Sequence, residues 1–378
     1  MRDADPADRS GQPAVAGHAD RRRMPDELHP RHLIIRAIEI AAVIALVVVA
    51  VSSLPGLDEV RARLRGTDPA WVAAVAAAEF GSCAGYLIVF RQTFCAQMPW
   101  GLSYDIAMAE LAANSLLPAG GAGGLALGVW ALRQAGMPTA HIARRTVAFF
   151  VLTSAANFFS VIVVGVAAFV SLVPGGGSAL LTLVPALIAA LGVLLVALSP
   201  RLLRALSLGS RGESVGTPAR SGRARRALRE GLVTVADGVE QAVSLLRFQG
   251  VGVAVGSFAY MAFDIAALGC AFAAIGSVPA FGDLVLAYLI GQLGNLIPLP
   301  GGVGGTEGAL IGVFALYGVN LSEATAAVLA YRLFQLTVPA VLGTPAFVLL
   351  RRRLARADRP ALVCAPLGLE VVELPGHS

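Results

Sequence analysis

Lysine is missing altogether from the 378-residue chain, so all 29 basic residues are arginine. A phosphate-binding loop of the Walker type ends in a lysine, and that class of nucleotide site is excluded. Charge of either sign is scarce, at 14% of residues against 56% hydrophobic ones. The four cysteines (Cys83, Cys95, Cys270, Cys364) are scattered without metal-ligand spacing, and they point to neither a disulfide framework nor a zinc site. No Ser/His/Asp grouping with recognisable spacing occurs, and His29-x-x-His32 is an isolated pair in a polar stretch. Gly121-x-Gly123-x-x-Ala126 fits a dinucleotide fingerprint on paper, yet it follows an apolar helix rather than a strand and lacks the βαβ context.

What the chain has is apolar sequence, with a mean hydropathy of +0.73. Runs long enough to cross hydrocarbon lie at roughly 37–54, 69–90, 146–173, 179–198, 250–275 and 324–350. Two further apolar regions, 104–133 and 283–319, are interrupted by glycine and proline, and their halves are mostly shorter than the ~20 residues a spanning helix needs. Each reads as a pair of half-helices forming a re-entrant hairpin, with two tilted full helices as the alternative. Irregular backbone at membrane depth survives only when buried in protein or lining a polar cavity. The expected fold is therefore an all-α polytopic membrane protein with about six full transmembrane helices and two Gly/Pro-broken hairpins.

Arginine placement sets the expected orientation. The N-terminal tail (Arg21, Arg22, Arg23, Arg31), the 133–145 link, the 201–229 loop and the segment after Leu350 are basic, whereas the 174–178 and 276–282 links carry no basic residue. Cytoplasmic loops collect arginine, so both termini are expected inside the cell, in an inner (plasma) membrane. Residues 1–31 read as a disordered cytoplasmic tail, 32–355 as the transmembrane domain with halves near 32–173 and 179–350, and 356–378 as a second cytoplasmic tail. An uncleaved first span fits the long polar lead better than a cleaved signal peptide. The 201–247 stretch between spans, with Arg220, Arg223, Arg225, Arg226 and Arg229 followed by Leu232, Val235, Val239, Val243 and Leu246, reads as a basic amphipathic helix on the cytoplasmic leaflet. Because topology explains the arginines, nucleic acid is not an expected partner.

Counting crossings, the two broken regions enter from opposite faces, and each half reads span, span, hairpin, span. That is an inverted-topology repeat, a layout in which transporters bind substrate at discontinuous helices. The halves share residues at one offset: Asn114 and Asn295 are 181 positions apart, and so are Gly120 and Gly301. The candidate substrate-contacting positions are accordingly Asn114, Gly120, Gly121 and Gly123 in the first hairpin, and Asn295, Pro300, Gly301, Gly302, Gly304, Gly305 and Glu307 in the second, with Arg332 of the last span. Glycine turns let backbone N–H groups approach an anionic headgroup, and half-helix N-termini add partial positive charge. Tight packing of hairpin arms is the competing reason for the glycines.

Ionisable groups inside spans are costly and are functional candidates by default. Glu79, Glu110, Asp264, Glu307 and Arg332 qualify, and Arg332 is expected to pair with Glu307 or Asp264 across the second hairpin. A structural ion pair is the competing reading for Arg332, and helix capping the competing one for Glu307. No metal or cofactor is called for.

Pro298-Leu-Pro-Gly-Gly-Val-Gly-Gly-Thr-Glu307, the helix after it to Gly318, and Tyr331-Arg332 resemble the lysylphosphatidylglycerol synthase transmembrane region, also called the flippase-like or YbhN-type family. The resemblance covers roughly 35–355. Asn114 through Gly136 looks like a glycine-rich version of the family's first motif, without the Arg-Leu-Gly-Glu form of other members, so no role for that acidic residue carries over. In the related multiple peptide resistance factor proteins this region moves aminoacylated phosphatidylglycerol between leaflets, while a separate soluble domain makes it. The resemblance thus implies translocation or handling of a phospholipid or polyprenyl-linked anionic lipid. The 28 residues after Leu350 are too few for a synthase domain, so the chain is not expected to be an enzyme. The alternatives are a lipid-modifying transferase, and a non-catalytic subunit of an envelope-synthesis complex; the expected partners are membrane lipid, with a homo-oligomer or an envelope-synthesis protein as further ones.

Overall fold

A computed structural model describes residues 62, 66–116, 122–209, 219–296 and 305–356. The first expected span at 37–54, both expected tails (up to residue 61 and beyond residue 356) and the two glycine turns lie outside the described residues. Among the described residues nine α-helices follow in order: α1 Pro69–Phe94, α2 Trp100–Leu116, α3 Ala122–Gln134, α4 Thr139–Phe169, α5 Ala179–Gly209, α6 Ala219–Ala274, α7 Phe281–Gly291, α8 Gly305–Leu316 and α9 Leu321–Arg356. A short 3₁₀ turn, Gln292–Leu296, extends α7. Among the described residues no strand is present. Five helices are long and apolar enough to cross a membrane, namely α1, α4, α5, α6 and α9. The protein is an all-α polytopic membrane protein.

Local sequence explains the helix limits. The Asp68 side chain accepts a hydrogen bond from the Ala70 N–H at 2.9 Å, and Pro69 occupies the first turn, where its missing N–H costs nothing. In α6 the dihedrals depart from helical at Gln249 (φ −127°, ψ 22°), which separates a first stretch, 219–248, from the spanning part. That kink falls where the arginine-rich sequence gives way to the apolar run. The first stretch does not simply lie on a leaflet: Ala236, Val239, Ala242 and Leu245 are buried, and Gly238 meets Val147 and the Arg144 carbonyl of α4. Val239 is thus on the packed face, while Val235, Val243 and Leu246 are exposed.

Helices α1 and α6 cross at small residues and run antiparallel. A Cβ on Gly85 would stand 2.4 Å from the Tyr260 backbone nitrogen, and one on Gly256 would stand 2.6 Å from the Val89 nitrogen. Only glycine allows backbones that close, the usual device where lipid leaves no hydrophobic drive between helices. Helix α9 lies antiparallel to α2 by the same device, with Gly343 against the Met108 carbonyl. One buried core joins α1–α4 to the end of α9, and a second joins the start of α1 to α6, α7, α8 and the start of α9. Helix α5 contributes only Ala189 to the second core and leaves Leu180, Leu187, Ile188, Leu191 and Leu195 exposed, as a lipid-facing surface requires.

Contacts between loops define two faces. On one, the Asp68 N–H donates to the Ala274 carbonyl at 3.1 Å, the Gly282 N–H to Pro174 O at 2.9 Å, the Tyr317 hydroxyl to Leu181 O at 2.8 Å, and Ser277 Oγ to Glu323 at 2.7 Å. On the other, Arg145 Nη1 donates to Thr93 O at 2.9 Å, Arg91 stacks over Trp100 at 4.3 Å, and Arg353 pairs with Asp105 at 3.1 Å. The second face is the arginine-rich one. Helices α2 and α3 begin and end there. Helices α7 and α8 begin and end at the arginine-poor face. The two broken regions thus enter from opposite sides, each as a pair of half-length helices of 17, 13, 11 and 12 residues, below the ~20 needed to span.

Cys83 and Cys270 are free, whereas Cys95 is disulfide-bonded, a departure from the reading that the cysteines stand apart.

Candidate functional site

The second hairpin places its charge at the start of the returning helix. Glu307 sits in the first turn of α8, directly after the glycine turn, where the helix's unpaired N–H groups favour an anion. Its Oε1 accepts from Arg332 Nε of α9 at 2.7 Å, and the two side chains are only 11% and 13% exposed. This is the pairing expected from the sequence, with Glu307 rather than Asp264 as the direct partner.

Asp264 is reached through an intermediary. Arg332 Nη1 donates to Gln335 Oε1, one helical turn further along α9. Gln335 Nε2 in turn donates to both Asp264 oxygens, at 3.2 and 3.4 Å, and to the Tyr331 hydroxyl. The Tyr331 hydroxyl donates to Asp264 Oδ1 at 2.9 Å, and the Tyr288 hydroxyl of α7 donates to Oδ2. A carboxylate in the low-dielectric interior survives as an anion only when its lone pairs are met by donors, and Asp264 meets two hydroxyls and an amide. The fixed amide makes Gln335 a relay between the guanidinium and the aspartate. The sequence reading missed Tyr288, Tyr331 and Gln335; the signal available was Tyr331, Arg332 and Gln335 at helical spacing on one face.

Glu79 of α1 completes the cluster. It is 3% exposed, within electrostatic range of Asp264 and Arg332, and its Oε2 has no hydrogen-bond partner. Three carboxylates (Glu79, Asp264, Glu307) therefore surround one guanidinium, on four helices: α1, α6, α8 and α9.

The first hairpin is built differently. Asn114 Oδ1 accepts from the Gly124 N–H at 3.0 Å, so the last turn of α2 caps the first turn of α3. Glu110, one turn earlier, is 8% exposed and lies against Gly128, where a Cβ would stand 2.7 Å from its Oε2. Tyr86 of α1 lies beside that carboxylate. Gly123 is buried in the same first turn of α3. Glu110 and Asn114 belong to this hairpin and are not brought to the Glu307–Arg332 cluster. Gly305 is the first residue of α8, adjoining that cluster. Gly120, Gly121, Pro300, Gly301, Gly302 and Gly304, and the Asn295 side chain, lie outside what is described. Among the described residues no group of three or more His, Cys, Asp or Glu could hold a metal ion.

Residues 37–343 match the family described as the lysylphosphatidylglycerol synthase TM region. A UPF0104 membrane protein from Methanothermobacter thermautotrophicus is 32% identical over 108 residues, covering 28% of this chain and 30% of that relative. The chain thus aligns with less than a third of the relative's length. The family match takes in both broken hairpins and all four helices that carry the charged cluster. The chain belongs to the lysylphosphatidylglycerol synthase TM region family of multi-pass membrane proteins.

Proposed function

We propose that this protein moves a lipid with an anionic headgroup between the leaflets of an inner membrane, with the Glu307–Arg332 pair as the latch. The observation that carries the reading is this ion pair, nearly buried at the head of the half-helix that follows the Gly/Pro turn. In its resting arrangement Glu307 neutralises Arg332. A phosphate presented by a headgroup at the turn competes for the guanidinium, because bidentate phosphate recognition suits arginine at least as well as a single carboxylate contact does. Glu307, once displaced, remains over the N-terminus of its own helix, whose partial positive charge offsets the loss. The exchange gives two charge-balanced arrangements of one site, which is what a transport step needs.

The opposed hairpins and the shared Asn/Gly spacing support an inverted-topology repeat, in which rocking of one half against the other alternates access. The arginine-rich face is assigned to the cytoplasm and both termini with it. The chain itself is read as a transporter rather than an enzyme, working alone, as a homo-oligomer or beside an envelope-synthesis protein. Proteoliposomes test this. Purified protein is expected to accelerate leaflet exchange of fluorescent phosphatidylglycerol over protein-free vesicles, and Arg332→Gln to cut that rate by about tenfold or more, the effect of losing roughly 1.4 kcal/mol of charge-assisted contact. Exchange no faster than in empty vesicles, across a panel of anionic lipids including a polyprenyl phosphate, would overturn the proposal.

A further inference from the structure

At the opposite end of the molecule from the arginine-poor loops, the start of α4 carries positive charge that nothing in the described protein neutralises. His141, Arg144 and Arg145 occupy its first two turns, with Pro138 at the cap, no side-chain cap hydrogen bond and no acid in the first turn. This inverts the ordinary preference, since the N-terminus of a helix is already partly positive and favours Asp or Glu there. In helices long side chains lean toward the N-terminus, so both arginines reach back over the turn that holds His141. The three groups are mutually close enough to interact electrostatically.

Topology alone does not explain them. Arginines placed only by the charge bias of one membrane face extend their heads into water, as the exposed Arg133, Arg201, Arg351 and Arg352 do here. Arg145 and His141 are 5% and 6% exposed instead, and Arg144 is half-buried. Arg145 Nη1 is tied to the Thr93 carbonyl at the end of α1, but Arg145 Nε, Arg144 Nε and His141 Nε2 are buried donors without a hydrogen-bond partner. Among the described residues neither arginine forms an ion pair. Unmatched buried nitrogens on two guanidiniums and an imidazole are costly, and an anion that reaches them would supply the missing partner.

We propose that His141, Arg144 and Arg145 at the N-terminus of α4 form a binding site for a phosphate-class anion at the arginine-rich face. The inference does not rest on the lipid-transport reading, because the chemistry required is a phosphate, borne either by a lipid headgroup or by a free ion. The helix N–H groups and the three side chains supply donors on one side of the anion, while the half-buried Arg144 marks the open edge through which it arrives.

The test uses the full chain in a neutral detergent, with two probes titrated separately: inorganic phosphate and short-chain phosphatidylglycerol. Binding is read by native mass spectrometry and by intrinsic tryptophan fluorescence. The expected result is saturable binding of at least one probe to wild type, weakened about tenfold or more in His141→Asn and in Arg144→Gln. Among the described residues neither of those side chains makes a hydrogen bond, so both variants are expected to fold; Arg145→Gln, which also loses the Thr93 contact, serves as a third. Arg247→Gln, an exposed arginine elsewhere on α6, is expected to bind as wild type. Binding of phosphate alone assigns a soluble source, and binding of phosphatidylglycerol alone assigns a headgroup. The proposal fails if neither probe binds, or if His141→Asn and Arg144→Gln bind both probes with wild-type affinity.

Discussion

Removing both members of the buried pair should cost less than the sum of removing each alone. In Glu307→Gln the carboxylate that accepts from Arg332 Nε at 2.7 Å becomes a neutral amide, while the guanidinium stays about nine-tenths buried. Breaking a buried pair by deleting one partner typically costs 3–5 kcal/mol. Here Gln335 still accepts from Arg332 and Asp264 and Glu79 remain as counter-charges nearby, so about 3 kcal/mol is expected, the low end of that range. Arg332→Gln should cost more, because it strands three acids and frees the Gln335 amide that holds Asp264. The double variant should then be less destabilised than the sum of the two by about 1.5 kcal/mol or more. Thermal unfolding in one detergent, followed by loss of helical signal, provides the measurement. At roughly 2 °C per kcal/mol for a chain of this size, Glu307→Gln should unfold about 6 °C early. Additivity of the two single effects to within about 0.5 kcal/mol would refute the coupling and with it the latch.

Three further outcomes follow from contacts away from the latch. Gly343→Ala and Gly85→Ala put a Cβ 2.1 Å from Met108 O and 2.4 Å from Tyr260 N, and both should abolish recovery of monodisperse protein; Gly308→Ala and Gly312→Ala, with no atom within 4 Å, should be silent or slightly stabilising by up to about 1 kcal/mol. Asn114→Ala removes the acceptor of the Gly124 N–H and should cost about 1 kcal/mol, visible as faster hydrogen exchange over the first turn of α3 and not of α8. Asp283→Ala removes the acceptor that the Gly176 N–H uses, so exchange should rise in the 174–178 link while the first hairpin stays protected.

Hydropathy made the spanning helices legible because it reads side-chain chemistry one residue at a time. It placed a span at 69–90 where α1 runs from Pro69 to Phe94, and at 250–275 where the second part of α6 ends at Ala274. The half-length of the hairpin helices was equally readable, since glycine and proline break a helix wherever it lies. That Arg332 pairs with an acid of this region followed from cost, since opposite charges in a bilayer find each other; whether Glu307 or Asp264 was the direct partner stayed open until the structure showed Glu307. The rest was hidden for identifiable reasons. Tyr288 and Tyr331 read as apolar residues, and only their positions around Asp264 turn them into donors. The Asn114 cap depends on α3 folding back on α2, which no local pattern announces. Packing of the first stretch of α6 onto α4 was not legible, because the face it buries is marked by Ala236, Gly238 and Ala242, residues too small to dominate an amphipathic pattern. The arginines of the 133–145 link were legible as topology markers, but Arg145 was not legible as a buried group, because its burial depends on packing against the end of α1.

The central claim, that a headgroup takes Arg332 from Glu307, is tested most directly by a structure of the protein in nanodiscs containing phosphatidylglycerol. The account predicts phosphate density within hydrogen-bonding distance of the Arg332 guanidinium, with Glu307 turned away toward the start of α8. Lipid density confined to other surfaces, with the 2.7 Å Glu307–Arg332 contact intact in every conformation resolved, would contradict it.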